Sequence, residues 1–146
     1  MELIKNVSTW FGLNVAICYF YNVLGPGQLT SGTHATVIGI FEEQKKKNLA
    51  LTVVSPGTQT RAFTHNNDVA RGLVAVGHAG KGDGYFLGSD VNISIIEVAA
   101  MFGVEYKIVP ERVGERISSD VKPSRARSEL GWKPGISLKQ YLNNLQ

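Results

Sequence analysis

The segment Val15-Ala16-Ile17-Cys18-Tyr19-Phe20-Tyr21-Asn22-Val23 is apolar and aromatic almost throughout and stops at Gly25-Pro26-Gly27. A run of that length, bounded by turn formers, has the composition of a strand buried on both faces. Such strands belong to parallel sheets covered by helices, because crossover connections place helices on both sides. The feature therefore predicts an α/β fold.

The rest of the chain alternates accordingly. Leu3, Ile4, Val7, Trp10 and Phe11 fall at helical spacing before Gly12, with no capping residue ahead of them. A helix is expected from about His34 to Lys47, ending in basic residues that suit its dipole. A short strand follows over Leu49 to Val54, closed by Ser55-Pro56-Gly57, and another extended piece over Ala62 to His65. Val69, Leu73 and Val76 mark one face of a helix from about Asn67 to His78, and Tyr85 to Leu87 reads as a strand. Ser94-Ile95-Ile96-Glu97 has the capping-box pattern and opens an apolar stripe of Ile95, Val98, Ala99 and Phe102 that ends at Gly103. Tyr106 to Val109 is strand-like. Two last helices are expected, from about Pro123 to Leu130 and, after the cap Ser137, from about Leu138 to Leu145.

At 146 residues with 43% hydrophobic content, the chain supports one domain, residues 1–146, burying roughly two thirds of its unfolded surface. Its formal charge of +3 is a small, scattered surplus and does not by itself distinguish a phosphate-bearing small molecule from nucleic acid. The single cysteine, Cys18, sits in an apolar run, reads as a small buried hydrophobe rather than a reactive thiol, and suits a reducing cytoplasm. No apolar run reaches the roughly 18 residues of a membrane span, and Glu2 and Lys5 fall where a signal peptide needs apolar residues, so a cytoplasmic location is expected.

Three features invite a functional reading. Gly77-His78-Ala79-Gly80-Lys81-Gly82-Asp83-Gly84 looks like a dinucleotide fingerprint, but that fingerprint follows a strand and opens a helix. Here the expected order is reversed, which favours a helix C-cap and loop. The three histidines, His34, His65 and His78, are far apart and lack neighbours at ligand spacing, so no metal is expected. Arg61 and Arg112 come from separated segments. Guanidinium forks match phosphate oxygens bidentately, although on spacing alone a solvated or salt-bridged arginine is the better reading of each.

Five strings in register resemble the extended short-chain dehydrogenase/reductase family, particularly its NAD-dependent nucleotide-sugar epimerases and dehydratases. They are Phe20-Tyr21-Asn22-Val23-Leu24-Gly25-Pro26-Gly27-Gln28, then Arg61-Ala62-Phe63-Thr64-His65 with Asp68-Val69-Ala70, then Tyr85-Phe86-Leu87-Gly88-Ser89, then Pro110-Glu111-Arg112-Val113-Gly114-Glu115, and finally Ser124 to Pro134. The resemblance implies the substrate-binding α/β part of that fold, with a few short strands and about six helices and without the amino-terminal NAD-binding half. It places Phe20 and Tyr21 beside the nicotinamide and Asn22, Arg61 and Arg112 at the sugar-nucleotide diphosphate. Glu115 falls near the ribose, and Thr33 to Val37 beside the base. The implied ligand is a UDP- or dTDP-sugar, with no role for nucleic acid or a membrane.

The same resemblance shows what is absent. The family's glycine-rich NAD loop and its Tyr-x-x-x-Lys do not occur: four positions after Tyr19, Tyr21, Tyr85, Tyr106 and Tyr141 stand Val23, Gly25, Ser89, Pro110 and Leu145. Tyr19, Leu24, Asn67 and Lys122 also replace residues usual in the family. Without an acid/base group and hydride acceptor the chain alone is expected to be inert, to bind no cofactor alone, and to meet NAD only through a partner half. Three functions follow: a non-catalytic sugar-nucleotide-binding domain, half of a split enzyme, or a self-association module. An inner strand deprived of its cover is an association site, so a homodimer through Ala16 to Val23 is expected, with exchange of the first helix as a possible form.

Overall fold

A computed structural model describes residues 1–111, 114, 117–118 and 124–145. Among them the first elements are α1 (Glu2–Phe11), β1 (Ala16–Phe20), β2 (Val23–Leu24), α2 (Val37–Lys46), β3 (Leu51–Val54), β4 (Thr60–Ala62) and β5 (Thr64–His65). Then come α3 (Asn66–Ala79), β6 (Gly82–Leu87), β7 (Asn92–Ser94), α4 (Ile95–Met101), β8 (Tyr106–Val109), α5 (Arg125–Leu130) and α6 (Leu138–Asn143). The strands form pairs: β1 with β6, β2 with β5 and β3 with β8 are parallel, and β4 with β7 is antiparallel. The chain is thus α/β, built of short parallel ladders and six helices among the described residues.

The long apolar strand expected over Val15 to Val23 is broken. β1 ends at Phe20, Asn22 takes a φ of 30°, and Val23 and Leu24 leave β6 to pair with Thr64 and His65. Positive φ is tolerated by asparagine better than by the β-branched and aromatic residues around it, so the bend falls there. Nor is the strand buried on both faces. Ala16 to Tyr19 are half-buried and Phe20 is 50% exposed, because β1 has one strand neighbour among the described residues and α1 buries none of its side chains. Cys18 is likewise half-buried, and burial pushes its thiol pKa up, away from reactivity. The extended piece expected from Ala62 to His65 is two strands in different pairs, divided at Phe63, and β7 had no counterpart in the sequence reading.

Local chemistry sets the helix boundaries. α2 begins at Val37 rather than about His34, and Thr36 caps it by accepting from the Gly39 amide at 3.0 Å. Ser94 and Glu97 form the expected capping box, and Ser137 with Gln140 forms a second. His65 caps α3 through Nδ1, which accepts from the Asn67 amide at 3.2 Å. Ser124 caps α5, and α6 ends at Asn143, short of Leu145. The glycine-rich stretch follows the expected order: Gly77 lies within α3, Gly80 closes it, and Gly82 and Gly84 begin β6 with positive φ.

Two apolar clusters result. The larger gathers Ile38 and Phe41 of α2, Leu51 and Val53 of β3, Val98 of α4, and Leu138 and Leu142 of α6, with Phe41 edge-on to Phe102 at 5.6 Å. The smaller packs Val69 and Val76 of α3 on Tyr85 and Leu87 of β6, with Ala126 and Trp132. Asp68, 1% exposed, ties the two regions together. Its Oδ2 accepts from the amides of Gly135 and Ile136, each at 2.9 Å, its Oδ1 pairs with Arg71, and its backbone carbonyl accepts from the Trp132 indole at 3.0 Å. Burial raises the Asp68 pKa, but the Arg71 pair and the two amides outweigh it and hold the carboxyl below the usual range.

Candidate functional site

The break at Asn22 turns the chain toward β5, and a cleft of about 340 Å³ lies between the start of α2 and strands β3 and β4. Asn22, Thr36, Thr52, Gln59 and Arg61 supply its polar groups, and Phe41, Phe63 and Ile95 are among its apolar walls. Asn22 is fixed by its Nδ2, which donates to the Ala62 carbonyl at 3.1 Å. Arg61 lies opposite Ile93 in the antiparallel β4–β7 pair; its Nη1 donates to the Thr60 carbonyl at 2.9 Å. Thr36 faces the cleft while its hydroxyl caps α2 and donates to Gln28 Oε1 at 2.9 Å.

Gln59 is the most constrained of these groups. It is 2% exposed, its Nε2 donates to the Val54 carbonyl at 3.0 Å, and its own carbonyl accepts from the Ile95 amide at 3.1 Å. Its Oε1 is buried without a hydrogen-bond partner. Such an orphan acceptor costs about 1–3 kcal/mol, and a native structure retains one where something else accounts for it, a ligand donor or a water included.

Behind the cleft, a hydrogen-bonded network holds the start of α2 against α6. Gln28 Nε2 donates to Glu42 Oε1 at 2.7 Å, and the Tyr141 hydroxyl donates to the same oxygen at 2.9 Å. Burial raises the Glu42 carboxyl against the lowering effect of these two donors. Burial and the adjacent carboxylate together push Tyr141 up to about 12.

The structure brings Asn22 and Arg61 to one cleft, with Ala35, Thr36 and Val37 of the expected base-side segment on its wall. It does not bring Phe20 or Tyr21 there. Phe20 is exposed, and Tyr21 packs against Phe86 and Gly88, where an added Cβ would stand 2.6 Å from the tyrosine ring. Arg112, Glu115 and Lys122 lie outside the described residues. Tyr19 stacks on Phe86 at 4.7 Å and donates to Asp83 at 2.9 Å, Leu24 is buried in the larger core, and Asn67 is exposed on α3. Gln59 and Thr52 were not singled out from sequence; Gln59 stood in the polar stretch Gly57 to Thr60 that precedes Arg61.

No group of three potential metal ligands occurs among the described residues. A dinucleotide pyrophosphate is held by amides opening a helix after a glycine turn. The glycines at 77–84 instead end α3, and Phe20 and Tyr21 offer only an aromatic margin.

The model of the NAD dependent epimerase/dehydratase family matches residues 1–93. The chain belongs to this family. Its epimerase/dehydratase relatives include a UDP-glucose 4-epimerase of Mycolicibacterium smegmatis, 32% identical over 126 residues, a match covering 82% of this chain and 40% of that protein. UDP-glucuronic acid decarboxylase 6 of Arabidopsis thaliana is 27% identical over 137 residues, covering 90% of this chain and 39% of the relative. A UDP-glucose 4-epimerase of Thermotoga maritima, solved with UDP-glucose, has the same fold with a TM-score of 0.90 at 23% identity, covering 97% of this chain and 47% of that one. This family member thus spans less than half the length of these relatives.

Proposed function

We propose that this chain is a sugar-nucleotide-binding domain that holds a UDP- or dTDP-sugar in the Asn22–Arg61 cleft and does not turn it over alone. The observation that carries this reading is the convergence of Asn22, Arg61 and Gln59 on the walls of one concave site. The relative of like fold solved with UDP-glucose supports the ligand class. In this reading Arg61 swings its guanidinium to the diphosphate oxygens, where two parallel N–H donors match the anion. Asn22 donates its amide to the same group. Arg112 and Glu115 are assigned to phosphate and ribose on the family resemblance alone. Cytoplasmic residence belongs to the same proposal and suits the half-buried, unpaired Cys18.

Titration calorimetry with UDP-glucose and dTDP-glucose tests the assignment. A charged hydrogen bond contributes about 1.5–3 kcal/mol, so Arg61→Ala should weaken binding roughly tenfold to a hundredfold. Unchanged affinity in Arg61→Ala and Asn22→Ala together would remove both residues from the site.

A second reading is favoured by the chain's coverage of 39% and 40% of its relatives: it is half of an enzyme completed by a separate NAD-binding polypeptide. NAD would supply the hydride acceptor there, and this chain would bind and orient the sugar nucleotide. Turnover of sugar nucleotides by the co-purified halves supports it, and binding without turnover across a panel of them counts against it.

A further inference from the structure

Gln28, in the segment between β2 and α2, has both ends of its side-chain amide committed to distant parts of the chain. Its Nε2 donates to Glu42 Oε1 at 2.7 Å and to the Tyr141 hydroxyl at 3.3 Å, and its Oε1 accepts from the Thr36 hydroxyl at 2.9 Å. The direction of this chain of bonds is forced. An ionised Glu42 can only accept, so the NH₂ of Gln28 faces it and the carbonyl faces Thr36. Thr36 has a single hydroxyl proton, which goes to Gln28, and its oxygen is left to accept from the Gly39 amide at 3.0 Å and so to cap α2. The backbone follows the same path. The Thr36 amide donates to the Leu29 carbonyl at 3.1 Å, and a Cβ on Gly39 would collide with that carbonyl, so the residue after Gln28 lies directly on the first turn of α2.

We propose that Gln28 is a positioning residue for the sugar-nucleotide cleft, holding the first turn of α2 where the wall against the ligand must stand. The proposal rests on the assignment of that cleft to a sugar nucleotide. Thr36, Val37, Ile38 and Phe41 line the cleft, as does Asn22 on the near side of β2, whereas Gln28 is not among the lining residues and acts through Thr36. One short segment thus carries a cleft residue at its start and the brace of the α2 wall at its end. Tyr141 brings α6 to bear on the same point, since its hydroxyl meets Gln28 and donates to Glu42 at 2.9 Å. A wall fixed before the ligand arrives spares binding the entropy of ordering it. A brace that served stability alone would lower the melting temperature of its variants and leave affinity unchanged well below the transition. Positioning requires that affinity itself change.

The test is calorimetry of the full chain with UDP-glucose and dTDP-glucose well below the melting transition, with the Tm of each variant recorded by circular dichroism. Gln28→Glu sets one carboxylate against another at Glu42 and should weaken binding roughly tenfold. Adding Glu42→Gln to that chain should return affinity close to the wild-type value. The new amide then donates to the new carboxylate, which still accepts from Thr36, and the amide oxygen still accepts from Tyr141. Gln28→Met, of similar length but without hydrogen bonds, should also weaken binding, and it decides the matter if Gln28→Glu does not fold. A wild type that binds neither ligand overturns the ligand assignment and this proposal together. A wild type that binds, with Gln28→Met binding as tightly, overturns the positioning role and leaves the assignment standing. So does a double variant that regains its Tm without regaining its affinity.

Discussion

Asp68→Asn should be among the most damaging near-isosteric changes in this chain. The wild-type carboxylate serves donors on both oxygens, the Gly135 and Ile136 amides on one and Arg71 on the other. An asparagine has one acceptor oxygen, so its NH₂ must face either the two backbone amides or the guanidinium, donor against donor. Hydrogen bonds to charged groups contribute about 1.5–3 kcal/mol and an unpaired buried donor costs about 1–3 kcal/mol, so a loss of about 3 kcal/mol is expected. For a domain of this length that is a fall in Tm of roughly 10 °C. Urea denaturation at neutral pH measures it. The pH dependence gives a second readout. The Asp68 pKa is depressed in the fold, so its contribution is present above the unfolded carboxyl pKa and is lost as pH falls through the lower folded value. The gap between wild type and Asp68→Asn should therefore narrow in acid. A loss under about 1 kcal/mol at neutral pH, or a gap that is constant into acid, would refute the view that this carboxylate holds the segment after α5 to α3.

Other consequences are open to the same methods. Tyr141→Phe should flatten an alkaline slope: with Tyr141 at about 12 in the fold against an ordinary 10, the unfolded chain loses its proton first and stability falls across that window more steeply in the wild type than in the variant. Denaturation midpoints measured on either side of pH 10 check it. Gly72→Ala improves helix propensity by about 1 kcal/mol, yet its Cβ would stand 2.7 Å from Leu87 and 2.8 Å from the Trp132 indole nitrogen. Overpacking costs about 1–3 kcal/mol, so the variant should melt lower despite the better helix former; a higher melting temperature would mean that the core gives way there. Ser94→Ala removes the capping box of α4 and should cost about 1 kcal/mol in urea denaturation.

What could be read from the sequence was what neighbours along the chain decide. The capping box at Ser94 and Glu97, the cap at Ser137 and the strand over Tyr106 to Val109 depend on residues a few positions apart, and the fold places them as expected. The long strand through Val23 misled because composition reports burial and not direction; a single positive φ at Asn22 reroutes the chain from β6 to β5. Asp68 gave no signal as a tie because its amide partners lie 67 and 68 residues away. For the site, spacing alone left Arg61 open to an ordinary salt bridge, and only the family resemblance paired it with Asn22, whose cleft it shares. Gln59 escaped notice because a buried polar side chain among threonines looks, in sequence, like any other loop residue.

The most direct measurement is a thermal-shift titration of the purified chain with UDP, dTDP, UDP-glucose, dTDP-glucose and NAD. A ligand that binds only the folded state adds about 2.7 kcal/mol at a hundredfold excess over its Kd. The account predicts a saturable rise in Tm with at least one of the nucleotides or nucleotide sugars, reduced in Arg61→Ala, and none with NAD. No rise with any of the nucleotides, or a rise with NAD alone, would contradict it.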